Sequence, residues 1–220
     1  TSNVIDQEKM AVILQEVVGT QYGDRYYPSI SGVARSVNYY PINDEQAEEG
    51  TVSLALGLGK YIVDGGLTLR VCPYHPDKVL QTSEMEMALR ETQTRFYALD
   101  LKNMGQNFSL DDGFNLLKLP VKEAEADGSL NYIASTYDPY DMVITFANIL
   151  QHDVFPLPRI LQLVQKYGQG EMRRPVEIEF AVNFNAKEKN GTFYLLQIRP
   201  MVDMKADLAE DLNLIPSEQI

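Results

Sequence analysis

Apolar positions along the chain come in short runs broken by glycine, proline and acidic clusters, a rhythm of strands and short helices. Met10–Val18 (MAVILQEVV) is a dense apolar run closed by Gly19 and predicts a buried strand. Ser31–Tyr40 alternates in part, stops at Pro41 and predicts a second strand. The tyrosine-rich stretch Gly19–Pro28 between them suits a hairpin connection, and the acidic stretch Pro41–Gly50 reads as a solvated loop. Thr51–Leu56 predicts a third strand, Gly57-Leu58-Gly59 leads a short helix through Val63 that Gly65-Gly66 ends, and Leu67–Cys72 predicts a fourth strand.

Beyond residue 75 the pattern changes. Ser83–Ala98 carries good helix formers and predicts a helix. Residues 102–129 are polar and turn-rich and take no assignment, and Leu130–Ser135 reads as a short strand. Ile160, Leu163, Val164 and Tyr167 lie at i, i+3, i+4, i+7 and predict a core-facing helical stripe with Gly168 as its stop. Two strands follow, Val176–Asn183 and Thr192–Arg199, and from Met201 the chain turns acidic and polar like a linker. The expected class is α+β: a mixed, mainly antiparallel sheet with helices packed on one side and an inserted segment over about 75–155. On this reading residues 1–200 form one lobe and 201–220 lead towards a further domain.

The last two strands carry candidate chemistry. Val176, Ile178, Phe180 and Val182 share one face of the first, and Glu177 and Glu179 share the other. In the second, Tyr194, Leu196 and Ile198 oppose Gln197 and Arg199. If Glu179 pairs with Gln197, then Glu177 faces Arg199, and two carboxylates, an amide oxygen and a guanidinium meet on one patch. Carboxylate and amide oxygens suit magnesium, and a guanidinium suits a phosphoryl group. A two-residue turn at Asn190-Gly191 would instead put the two polar sets on opposite faces, so this pairing needs a longer loop or a bulge. The competing reading is a solvent-facing strand pair whose charges simply cross-pair.

Composition narrows the classes. A net charge of −12 disfavours nucleic-acid binding, whereas a nucleotide held by local cations and a metal remains compatible with it. Cys72 is the single cysteine, so no internal disulfide forms and a reducing, cytoplasmic setting is expected. No apolar run is long enough for a membrane span. Gly59-Lys60 lacks the preceding glycine of a P-loop, since Leu54 stands there. His75 and His152 lack metal-ligand spacing, and Ser31-Gly32 lacks the context of a nucleophile elbow.

Four motifs in order, VILQEVVG, SGVARS, ALGLGKYIVDGG and VEIEFAV followed by LLQIRP, resemble the ATP-grasp nucleotide-binding domain of the phosphoenolpyruvate synthase and pyruvate phosphate dikinase family. The resemblance covers about residues 10–66 and 157–200. It implies ATP and magnesium as cofactors, and transfer of a phosphoryl group to a histidine and on to pyruvate. It also implies backbone contacts from Gln15, Glu16 and Val17 to adenine, and magnesium ligation by Glu179 and Gln197. Arg199 would then contact the terminal phosphates and Glu177 the metal or ribose side. Arg35 and Ser36 replace an aromatic residue and threonine usual in the family, and Lys60 replaces an acid. Arg35 is accordingly a candidate nucleotide contact. The family's preceding half, with a lysine and an arginine for the phosphates, is expected outside this chain, which opens Thr1-Ser2-Asn3 like a fragment of something longer. Partners would be the phosphohistidine and pyruvate-binding domains. Rival readings are a regulatory ATP-grasp module, or a related dikinase whose acceptor is a glucan or an antibiotic.

Overall fold

The computed structural model describes residues 11–103, 115–125, 128–138, 141–185 and 190–201. Every strand pairing among them is antiparallel, and with four α-helices the class is α+β. The central sheet is built from β3 (Ile30–Arg35), β4 (Thr51–Ala55), β5 (Leu69–Val71), β10 (Val176–Asn185) and β11 (Asn190–Pro200), in the order β11-β10-β3-β4-β5. A second sheet runs β1-β2-β6-β7, from β1 (Thr20–Tyr22), β2 (Arg25–Tyr27), β6 (Arg95–Asp100) and β7 (Leu116–Pro120). A two-stranded ribbon pairs β8 (Ala134–Asp138) with β9 (Asp141–Ile144). The helices are α1 (Lys60–Val63), α2 (Met85–Glu91), α3 (Ala147–Leu150) and α4 (Leu157–Met172).

Alternation sets the core. Val176, Ile178, Phe180 and Val182 of β10 are buried together with Ile30, Ala34, Val52, Leu54, Leu69 and Val71 of its neighbours. Helix α4 lies over this face. Its buried line is Leu157, Leu161 and Gln165, with Ile160 and Val164 half-buried. The line is therefore rotated from the expected stripe, and Leu163 and Tyr167 are 45% and 66% exposed. Gly168 does not stop the helix. It lets the helix approach the sheet, because a Cβ there would meet Ile198 Cδ1 at 2.5 Å. The helix ends at Arg173, which sits in the left-handed region at φ 54°.

Other expectations change as well. The stretch Ser83–Ala98 divides at Thr92: helix α2 precedes it and β6 follows, with Phe96, Ala98 and Asp100 buried in strict alternation. The buried Gln93 amide takes strand-like partners at this break, accepting from Leu56 N and donating to Leu56 O. Residues 129–132 form a 3-10 turn before β8, and β3 ends at Arg35 rather than Tyr40. In the loop expected to be solvated, Glu45 is buried, accepting hydrogen bonds from Arg70, Asn38 and Ile42 N. Within the 75–155 segment, β6 pairs with β2 and so joins the second sheet.

Met10 lies outside the described residues, and residues 11–18 form no strand. Val12, Ile13 and Leu14 are 78–93% exposed. Side chains hold this segment: the Gln15 amide donates to Leu196 O at 3.2 Å, and Tyr26 donates its hydroxyl to Val17 O at 3.0 Å. Without a backbone ladder or a covering layer, apolar composition alone does not make a buried strand.

Candidate nucleotide site

The polar face of β10 and β11 is set by a bulge. Glu177 pairs with Arg199 and Glu179 with Gln197, and then the register shifts so that Phe180 meets Leu195. Leu196 is the extra residue on β11. Asn190 and Gly191 do not form the tight turn; they are strand residues opposite Asn185 and Phe184. Gly191 packs where a side chain would strike Phe184 and Phe155. The bulge therefore puts Glu177, Glu179, Gln197 and Arg199 on one face.

A third strand adds to this patch. Glu177 also pairs with Arg35 of β3. Its Oε2 accepts from Arg35 Nε at 2.8 Å, and its Oε1 accepts from Arg199 Nε at 3.0 Å and from Arg199 Nη2. Both oxygens are thus taken by guanidinium groups, which leaves little room for Glu177 as a metal ligand. Burial of Glu177 would raise its pKa, but the hydrogen bonds from Arg199 and Arg35 outweigh this and hold it below the usual carboxylate range. The triad carries one net positive charge on a strongly acidic chain.

Glu179 and Gln197 differ from Glu177. Among the described residues their side chains have no hydrogen bond or ion pair, and they are half-buried and exposed respectively. These are hard oxygen donors of the kind magnesium takes while it keeps waters and phosphate oxygens. No group of three or more His, Cys, Asp or Glu side chains among the described residues could hold a metal by itself. Any cation here would therefore depend on its anionic ligand.

Further along the same face, a cavity of about 520 Å³ lies between the Gln15–Gly19 segment and β11. Gln15, Glu16 and Val17 line it, as do Asn183 and Tyr194. The Val17 carbonyl is already engaged by Tyr26. Asn183 donates through Nδ2 to Gly19 O at 2.9 Å, and its Oδ1 is buried without a donor. The sequence reading omitted Asn183, although it continues the polar alternation of Glu177 and Glu179. From Asn183 to Glu177 the face runs for roughly 20 Å.

His75 lies against Glu49 at 3.1 Å, and Cys72 is a free, buried thiol. Among the described residues no helix is long and apolar enough to cross a membrane. The family model described as "Pyruvate phosphate dikinase, AMP/ATP-binding domain" matches residues 2–215. No curated protein matches the chain.

Proposed function

Because the chain belongs to the family of the pyruvate phosphate dikinase AMP/ATP-binding domain, we propose that the β10–β11 face is the bed of a MgATP site in an ATP-grasp lobe. The lobe spans residues 1–200, with 201–220 as a linker, and serves phosphoryl transfer to a histidine and on to pyruvate in a cytoplasmic enzyme. The observation that carries this reading is the bulged register, which aligns Glu179 and Gln197, whose side chains make no hydrogen bond among the described residues, with the guanidinium of Arg199.

In this reading the cavity beside Gln15 takes the base, and Asn183 Oδ1 accepts a hydrogen bond from its exocyclic amino group. Backbone groups of Gln15 and Glu16, with the Val17 N–H, supply the remaining edge contacts. Glu179 and Gln197 hold magnesium, which when bound would neutralise phosphate charge. Arg199 and Arg35 face the terminal phosphates, and Glu177 positions both guanidiniums by occupying one edge of each. Positioning and charge neutralisation are the main demands of phosphoryl transfer.

The test is a titration of the chain with MgATP, followed by NMR. The exposed site shares its hydrogen bonds with water, so a dissociation constant near about 1 mM or weaker is expected. Binding should require magnesium and vanish in Glu179→Ala. An affinity indifferent to both magnesium and Glu179 overturns the reading.

A further inference from the structure

A second cavity, of about 490 Å³, opens on the helix side of the sheet, between the C-terminal half of α4 and the chain at Ser36, Glu48 and Pro175. Gln165 lines it and is 5% exposed. Its Nε2 donates to Arg35 O at 2.8 Å, which fixes the amide orientation, and its Oε1 is buried with no donor. A buried acceptor left unpaired costs on the order of 1–3 kcal/mol in general, so a donor from a ligand or water would relieve it.

Lys166, Arg173 and Arg174 line the same cavity. None of the three has an ion pair or hydrogen bond among the described residues. Arg173 occupies the left-handed position that closes α4, where glycine is the favoured residue. Stability alone would not select arginine there. The negative end of the α4 dipole, Glu48 and Glu49 all oppose an anion, although Glu49 Oε2 is engaged by His75 and Gln46 N, so the three cations must act together to hold one. We propose that this cavity is a binding site, separate from the nucleotide face, for a small phosphate monoester that also carries hydroxyl groups. The phosphate meets Lys166, Arg173 and Arg174, and a hydroxyl donates to Gln165 Oε1. Through Gln165 Nε2 and the Arg35 carbonyl, the site adjoins the strand that carries Arg35 towards Glu177.

Glycerol 3-phosphate and propyl phosphate, probes of like charge with and without hydroxyls, test this by NMR titration of the chain. Glycerol 3-phosphate should bind, and propyl phosphate about fivefold more weakly. Arg173→Gly should weaken glycerol 3-phosphate about tenfold without lowering Tm, since glycine suits that backbone. Arg174→Gln should weaken it similarly, and saturating MgATP should not displace it. Equal affinity for the two probes, binding indifferent to both arginine variants, displacement by MgATP, or no binding at tens of millimolar would each overturn the proposal. Because the readout needs neither magnesium nor Glu179, its failure is distinguishable from failure of the nucleotide reading.

Discussion

The β10–β11 face and the segment 11–18 are neighbours, yet they obey different rules. On β10 each side chain from Glu177 to Val182 has its direction fixed by two ladders, one to β11 and one to β3. Its apolar face closes over the core, so its carboxylates must emerge on the other side. The segment 11–18 is as apolar as any strand in the molecule, but it borders the outer edge of β11 with only side-chain ties. Pairing on both sides, rather than apolar content, makes a chemical face rigid. Glu179 is therefore presented by a framework, and the Gln15 region by a tether.

Glu179→Ala offers the severest test of that contrast in the full-length protein. On the proposed reading Glu179 is a magnesium ligand whose loss from a rigid face cannot be replaced by relaxation, so ATP-dependent phosphorylation should fall well over tenfold, equivalent to about 3–4 kcal/mol of barrier. The fold should persist, as judged by an unchanged Tm. Full activity at matched folding would reduce the acidic row to decoration.

Framework rigidity itself is probed at Gly32. A Cβ at this position would lie 2.1 Å from Cζ of Phe180, which is buried and stacked on Phe193 at 5.1 Å. Gly32→Ala should cost about 1–3 kcal/mol by forcing Phe180 off its site. Urea unfolding would measure this, and a cost near zero would show that the sheet yields as readily as the tether.

Glu177 gives a pH signature. Its carboxyl is held below the ordinary range when folded, so its stabilising effect is complete above the unfolded value of about 4.3 and disappears as pH falls through the folded value. Glu177→Gln should flatten the stability profile in that acidic window, at a cost of roughly 1–2 kcal/mol at neutral pH. An unaltered profile would mean that the Arg35–Glu177–Arg199 triad forms only weakly.

Legibility followed the same division. The alternation in PVEIEFAV revealed its faces, because period 2 is local, but in FYLLQIRP it broke at Leu196. Tyr194 lies on the polar face opposite Ala181, with Gln197 and Arg199 rather than against them, and Phe193 turns to the core against Phe180. Alternation could not choose the register, because one inserted residue, Leu196, decides that and leaves no mark in composition. Asn-Gly at 190–191 pointed to a turn that the strand overrides, with Gly191 needed for packing against Phe184 and Phe155. Strand β6 was hidden by the helix formers before Thr92, although Phe96, Ala98 and Asp100 alternate clearly once the window starts at Arg95. On α4 a helix was legible but its rotation was not. Gln165 and Gly168, neither apolar in the usual sense, lie on the buried side because one donates to Arg35 O and the other admits Ile198.

The smallest expected effect lies at the tether. Gln15 is exposed, and its amide reaches Leu196 O at 3.2 Å from a segment with no ladder of its own. Removing that bond exposes both groups to water, which satisfies them, so Gln15→Ala should change global stability by no more than about 0.5 kcal/mol. Local behaviour should change more. Hydrogen exchange at residues 11–18 should quicken several-fold while the β10 amides keep their protection, because local opening does not require the sheet to unfold. On the proposed reading, magnesium dependence at Glu179 should be retained, and MgATP affinity should fall only through the base end of the face. If Gln15→Ala instead lowered global stability by about 2 kcal/mol or slowed exchange in the segment, residues 11–18 would belong to the cooperative framework, and the contrast between framework and tether would fail.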